Sequence, residues 1–236
     1  MRIIFVRHGE PDYHNDCLTE LGQRQAIAVA QRLKFEGIRE IFSSPQGRAF
    51  QTAQATADLL GLSVQPMNFL HEISWGSKNG EPLPENGNPW DVVRLLAEQG
   101  IDPADPDWFA HPYFANNKVL DTVHIVEEGI DHWMENYGYQ RENGGYRCLS
   151  SEYADHTVAM FCHGGSSSAA LSHLCHLTFS FWCASFPFPF AGFTVIRFSD
   201  HPEKAAPAWL EVIGEGRHLN SVPGELSPDS RPFFGM

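Results

Sequence analysis

Basic residues are scarce in this chain. Its 236 residues include 16 Lys and Arg against 29 Asp and Glu, a formal charge of −13. Such an acidic balance argues against nucleic acid and anionic membrane as partners. It also makes any local cluster of arginines informative. The five cysteines, Cys17, Cys148, Cys162, Cys175 and Cys183, are odd in number and include no C-x-x-C pair. A disulfide framework or a zinc knuckle is therefore not expected, and most of them read as small buried hydrophobes. A chain this long buries roughly 70–75% of its unfolded surface, so it folds without either device. Long uninterrupted apolar runs are absent too. The nearest, residues 177–193, contains Pro187 and Pro189 and is short for a bilayer. It reads as a buried or pocket-lining loop leading into a strand. A strand pattern that starts almost at Met1 leaves no room for a secretory leader, and the cytoplasm is the expected compartment.

What the sequence does contain is an alternation. Apolar runs at 3–6, 38–42, 62–67, 157–162, 193–198 and 209–213 read as strands. Between the first two, Thr19 stands as an N-cap, Gly22, Ala26, Val29 and Leu33 share one face, and Gly37 marks the end. Between the next two, Pro45 falls near a first helical turn, Ala49, Ala53 and Leu60 share a face, and Gly61 stops it. This predicts an α/β fold, a three-layer sandwich with a mostly parallel central sheet and helices on both faces. Residues 77–117 break the rhythm, being rich in Pro, Gly, Asn and Asp around one short helix at 90–99. They read as a lid-like insertion near the active site of a single domain spanning 1–236. A longer helix is predicted at 118–137, with Val119, Val123, Val126, Ile130, Trp133 and Met134 on its apolar stripe. Residues 138–153 read as polar turns or a weak hairpin.

Ligands of open α/β sheets sit beyond the carboxyl ends of the strands. Three polar clusters fall at such ends: Arg7-His8-Gly9, Ser43-Ser44-Pro45 with Arg48 one turn later, and His163-Gly164-Gly165-Ser166. Two arginines, two histidines and a helix N-terminus converging on one cavity would suit a dianionic phosphate.

The stretches "RHGEP", "LTELGQRQA", "SSPQGRAFQTA", "LHEISWG" and "FCHGG" resemble, in that order, the histidine phosphatase superfamily, in its phosphoglycerate-mutase-like branch. The resemblance covers about residues 2–76 and 157–177. It implies a phosphomonoesterase acting on a small phosphorylated metabolite through a phosphohistidine, with no metal or other cofactor. His8 would be the nucleophile. Arg7, Arg48, His163 and Gly164 would hold the phosphoryl oxygens, with His163 also counted as catalytic. Glu72 would protonate the leaving oxygen and then activate water, its pKa raised by the neighbouring dianion. A small phosphate ester is the implied partner, with no nucleic acid and no membrane, and a homodimer is left open.

Alternatives remain at this stage. Glu10, Glu81 and Glu85 lie near enough in sequence to rival Glu72. Ser43 and Ser44 could simply shape a turn. His71 and His218 read as pocket-margin residues or as incidental, and Trp108, Phe109, Tyr113 and Phe114 read as packing before substrate wall. The family often has Thr where Pro11 stands and Asn where His14 stands, with Asn15 one place later here, so a phosphate contact in that loop is left open. Two rival functions stand beside the phosphatase. A phosphoglycerate-type mutase would need a cation-rich pocket, yet only Arg94 and Lys118 are basic between residues 79 and 140. A non-catalytic phosphate-ligand-binding protein of the same fold would be expected to lose the nucleophile or the acid, and both are kept.

Overall fold

The computed structural model describes residues 1–142, 144–201 and 205–222. In chain order, strand β1 (Arg2–Arg7) is followed by a minimal hairpin, β2 (Pro11–Asp12) and β3 (Cys17–Leu18). Helix α1 (Glu20–Leu33) then begins on its Thr19 cap, whose side chain accepts the Gly22 N–H. Strand β4 (Ile38–Ser43) leads to α2 (Gly47–Leu60), which ends on Gly61 in the left-handed region at φ 68°. After β5 (Val64–Pro66) come α3 (Pro89–Glu98), the one-turn α4 (Pro112–Ala115) and the long α5 (Val119–Glu135). The predicted weak hairpin is β6 (Tyr139–Glu142) paired with β7 (Gly145–Cys148). The chain closes with β8 (Thr157–Cys162), α6 (Gly164–Leu174), α7 (Phe179–Ser185), β9 (Phe193–Arg197) and β10 (Trp209–Glu215).

Six strands form the central sheet in the order β10-β9-β1-β8-β4-β5. The pairs β1/β8, β8/β4 and β4/β5 are parallel, while β9 joins β1 and β10 joins β9 antiparallel. Successive side chains of a strand point to opposite faces, and the core divides accordingly. Ile4 and Val6 pack with Val29 and Leu33 of α1 and Ala53 and Ala57 of α2. Ile3 and Phe5 pack on the other face with residues of α3, α5, α6 and α7. The fold is the mixed α/β sandwich read from the sequence.

Residues 177–193 depart from that reading. They hold α7, not only a loop, because the prolines fall after Ser185 and end the helix instead of interrupting it. The Thr178 hydroxyl caps its start by accepting the Phe181 N–H. Beyond the helix, residues 186–192 run to the edge where the site lies. No helix among the described residues is long and apolar enough to cross a membrane.

Candidate active site

The parallel register carries the three polar clusters to one edge of the sheet. Arg7 stands opposite Cys162, and Ser43 opposite Phe161. Past the strands the backbone pairing continues for one more residue: His8 N–H donates to the Cys162 carbonyl at 3.0 Å and Ser44 N–H to the Phe161 carbonyl at 2.8 Å. The chain entering antiparallel β9 starts from the same edge, where Ala191 N–H donates to the His8 carbonyl at 3.0 Å.

His8 is 1% exposed, and its Nδ1 lies 2.7 Å from the Gly9 carbonyl oxygen. A carbonyl only accepts, so Nδ1 carries the proton and Nε2 the lone pair. Burial, then the charge of Arg7, holds its pKa well below the usual imidazole value; the Gly9 bond opposes this and Arg48 reinforces it. The ring is neutral and its tautomer is fixed.

The His163 ring lies 5.1 Å from that of His8, with Nε2 2.9 Å from Ser44 Oγ. Ser44 Oγ also accepts the Gln46 N–H at 3.3 Å, and its second lone pair or its proton can meet His163 Nε2, so Nδ1 of His163 carries the proton in one tautomer and the lone pair in the other. That Nδ1 is buried with no protein partner among the described residues. A buried polar atom left unmet costs roughly 1–3 kcal/mol, a cost that a hydrogen-bonding ligand removes. Burial first, then the charges of His8 and Arg48, keeps this ring neutral as well.

Two guanidiniums flank the pair. Arg7 donates through Nη1 to the Phe188 carbonyl at 2.7 Å and lies 4.0 Å above the Phe190 ring. Gly164 sits against it, since a Cβ there would come within 3.5 Å of the guanidinium carbon. Arg48, 6% exposed, donates through Nη1 to Asp16 Oδ1 at 2.5 Å, and its buried Nε has no partner among the described residues.

Glu72 occupies the N-terminus of α6. Its Oε1 accepts the N–H groups of Ile73 and Gly165 at 3.0 Å and of Ser166 at 3.1 Å. Its own N–H is held by the Gln46 side chain at 2.8 Å. Burial pushes the Glu72 pKa up; Arg7 is the largest opposing influence, followed by the Ile73 and Ser166 N–H bonds and Arg48. Because all three bonds fall on Oε1, Oε2 is left to carry a proton. The helix N-terminus expected to face phosphate is thus shared: a carboxylate takes the Gly165 and Ser166 donors, as helix N-termini favour anions of any kind.

Residues 3–100 match the sequence model of the histidine phosphatase superfamily, branch 1. A probable phosphoglycerate mutase of Yersinia pestis (strain Pestoides F) is 37% identical over 92 residues, 35% of this chain and 43% of that protein. The chain therefore spans less than half the length of the curated relatives it matches. Among solved structures, a mycobacterial glucosyl-3-phosphoglycerate phosphatase with VO3 superimposes with a TM-score of 0.60 at 21% identity. That match covers 89% of this chain and 97% of the other. A phosphoserine phosphatase from Entamoeba histolytica with 3-phosphoglyceric acid gives 0.59 at 20%, covering 92% and 98%. The histidine phosphatase fold extends across those covered lengths.

The structure thus brings together His8, Arg7, Arg48, His163, Gly164 and Glu72, and leaves their rivals outside. Glu81 and Glu85 are exposed, and Glu10 sits at the start of α1 with Oε1 3.3 Å from Thr19 Oγ1. His14 and Asn15 are exposed in a turn around Asp12. His71 is exposed, though its charge helps depress His163. His218 lies 3.0 Å from the Ala191 carbonyl and stacks on Phe193. Trp108 packs on Phe114 and Phe179, beside an apolar cavity of about 240 Å³ that shares no lining residue with the site. Sequence reasoning missed Asp16, Gln46 and Phe190 as parts of the site and left Ser44 as a turn former. Only Ser44 carried a signal, its place at the exit of a strand beside Arg48.

Proposed function

We propose that this protein is a phosphomonoesterase that works through a phosphohistidine at His8. The observation that carries the reading is a buried, neutral His8 with its tautomer set by Gly9, beside two guanidiniums and the unpartnered Nδ1 of His163. Phosphoryl transfer asks mainly for in-line placement and for positive charge spread over the equatorial oxygens. Arg7 and Arg48 supply that charge, and His163 adds a hydrogen-bond donor in the tautomer that protonates Nδ1.

In the first step the Nε2 lone pair of His8 forms the bond to phosphorus as the ester P–O bond breaks. The leaving oxygen takes the proton of Glu72. In the second, Glu72 as carboxylate takes a proton from water, whose oxygen bonds to phosphorus as the P–N bond breaks. Phosphate leaves and His8 is restored. Each charge that develops meets a protein donor or acid, so no step calls for a metal.

The substrate is read as a small phosphorylated metabolite. Relatives with phosphatase names act, by those names, on phosphoserine and glucosyl-3-phosphoglycerate. A mutase is the second reading, favoured by the relative named a probable phosphoglycerate mutase. Against it, Arg94 is 70% exposed and paired with Asp91, and Lys78 pairs with Asp121, so neither is a free grip for a carboxylate.

A panel of phosphate monoesters, assayed with chelator present, tests the proposal. Wild type is expected to release phosphate and His8→Ala to release none. Turnover that chelator abolishes, or that His8→Ala retains, overturns it. Dependence on a bisphosphorylated activator would give precedence to the mutase.

A further inference from the structure

Arg48 is held by a residue from outside its own helix. Asp16 sits at the tip of the β2–β3 hairpin, and its carboxylate makes two bonds. Oδ1 accepts Arg48 Nη1 at 2.5 Å, and Oδ2 accepts the Gly47 N–H at 2.7 Å. The second bond matters because Gln46, the N-cap of α2, makes no side-chain cap bond of its own. One carboxylate therefore fixes both the first backbone donor of the helix and the guanidinium that the same turn carries. The bond to Gly47 fixes the carboxylate itself, so its single charge-assisted bond to Nη1 anchors one end of the guanidinium at a set place.

The hairpin tip is built to present Asp16. Asp12 Oδ1 accepts the N–H groups of His14 at 2.9 Å and Asn15 at 3.2 Å, and its Oδ2 accepts Asn15 Nδ2 at 2.7 Å. Asp16 itself adopts φ 47°, in the left-handed region that few residues other than Gly, Asn and Asp enter readily. A Cβ on Gly47 would strike the Asp16 carbonyl oxygen, so the two segments touch backbone to backbone. Tyr13 of the same tip lies 5.4 Å from the Arg48 guanidinium carbon. The Asp16 side chain is 45% exposed, whereas that of Arg48 is only 8% exposed. The grip is thus applied from the solvent side onto a cation facing inward.

We propose that Asp16 is a positioning residue for the reaction. It holds the Arg48 fork in the place where it meets a phosphoryl oxygen, so the 12–16 turn serves the site through Arg48 and not by touching phosphate. The proposal rests on the reading of Arg48 as a phosphate ligand. It predicts that Asp16 acts only through Arg48. A rival effect has the opposite sign: a carboxylate that merely drains charge from Arg48 would strengthen phosphate binding when removed.

The test is a double-mutant cycle on the full chain, read by turnover and by inorganic phosphate binding. Asp16→Ala should lower kcat/KM by about 10–100-fold, the scale on which misplacing a catalytic contact acts. It should weaken inorganic phosphate by on the order of tenfold. Asp16→Asn, which keeps one oxygen acceptor, should fall between it and wild type. With Arg48→Ala already present, Asp16→Ala should change kcat/KM by less than about twofold.

Unchanged or tighter phosphate binding in Asp16→Ala overturns the proposal. So does an equal loss with and without Arg48, which would mark Asp16 as a helix cap alone. If Asp16→Ala does not fold, Asp16→Asn carries the same comparisons. Wild type that binds phosphate without turning over esters would sink the phosphatase reading while leaving the cycle to be read by inorganic phosphate binding, where Asp16→Ala should again have its effect only when Arg48 is present.

Discussion

At the scale of single residues, the site works by pulling two pKa values toward each other. His8 is pushed below its ordinary 6.5 by burial and Arg7, and Glu72 is pushed above its ordinary 4.5 by burial. In the proposed reaction the attacking imidazole must be unprotonated and the acid must hold its proton. Activity is therefore lost on the acid side as His8 protonates, below pH 6.5, and on the alkaline side as Glu72 ionises, above pH 4.5. A bell-shaped kcat/KM profile follows, its acid limb below pH 6.5 and its alkaline limb above pH 4.5. Glu72→Gln keeps an oxygen for the Gly165 and Ser166 donors but has no proton to give. For an alkyl phosphate it should lower kcat by about 10²–10⁴ and abolish the alkaline limb. For 4-nitrophenyl phosphate, whose leaving group needs little protonation, the loss in the first step should be far smaller. Equal losses on both esters in single-turnover measurements, or a surviving alkaline limb, would remove Glu72 from the role of acid.

At the scale of elements, the site depends on how closely α1 approaches the exit of β1. A Cβ on Gly9 would come 2.6 Å from the Gly22 carbonyl oxygen, and one on Gly22 would collide with the Glu10 carbonyl. Backbone meets backbone there, and nothing flexible can give way. Gly22→Ala should destabilise the protein by about 1–3 kcal/mol, as overpacking does, and lower activity by displacing His8. The exposed Ile27 of the same helix supplies the control: Ile27→Ala should stay within about 0.5 kcal/mol of wild type. Thermal melts and kcat/KM on both variants check this, and a Gly22→Ala enzyme with unchanged Tm and activity would contradict it. The N-terminus of α6 shows the same economy of space. A Cβ at Gly165 would lie 2.2 Å from Ile73 Cγ1 and 2.6 Å from Glu72 Oε1, so the glycine is what lets both side chains reach the helix.

At the scale of the whole molecule, the sheet register does what no local segment can. It sets Arg7 opposite Cys162 and Ser43 opposite Phe161, so residues far apart in the chain meet. Much of this was legible in the sequence. Thr19 and Gly61 bound their helices as read, and the alternation of apolar runs placed all the strands of the central sheet. The site residues were legible because they stand at strand exits, where polar groups have no packing reason to cluster. Helix α7 was not, because Phe179 and Trp182 are buried and its single short stretch shows no amphipathic period before the prolines. The grip of Asp16 on Arg48, across 32 positions, was not legible either. Periodicity reports which face of an element is buried, whereas that contact depends on how a hairpin tip docks on a helix it does not belong to. The account's central claim is that the converged edge makes His8 a phosphoryl acceptor. The most direct measurement is to mix the protein with a cleavable phosphate monoester, quench in alkali to preserve phosphohistidine, and map the phosphoryl group by mass spectrometry. The group should be found on His8 in wild type, accumulate further in Glu72→Gln, and be absent from His8→Ala. Ester turnover with the phosphoryl group on another residue, or with none trapped even in Glu72→Gln, would contradict the account.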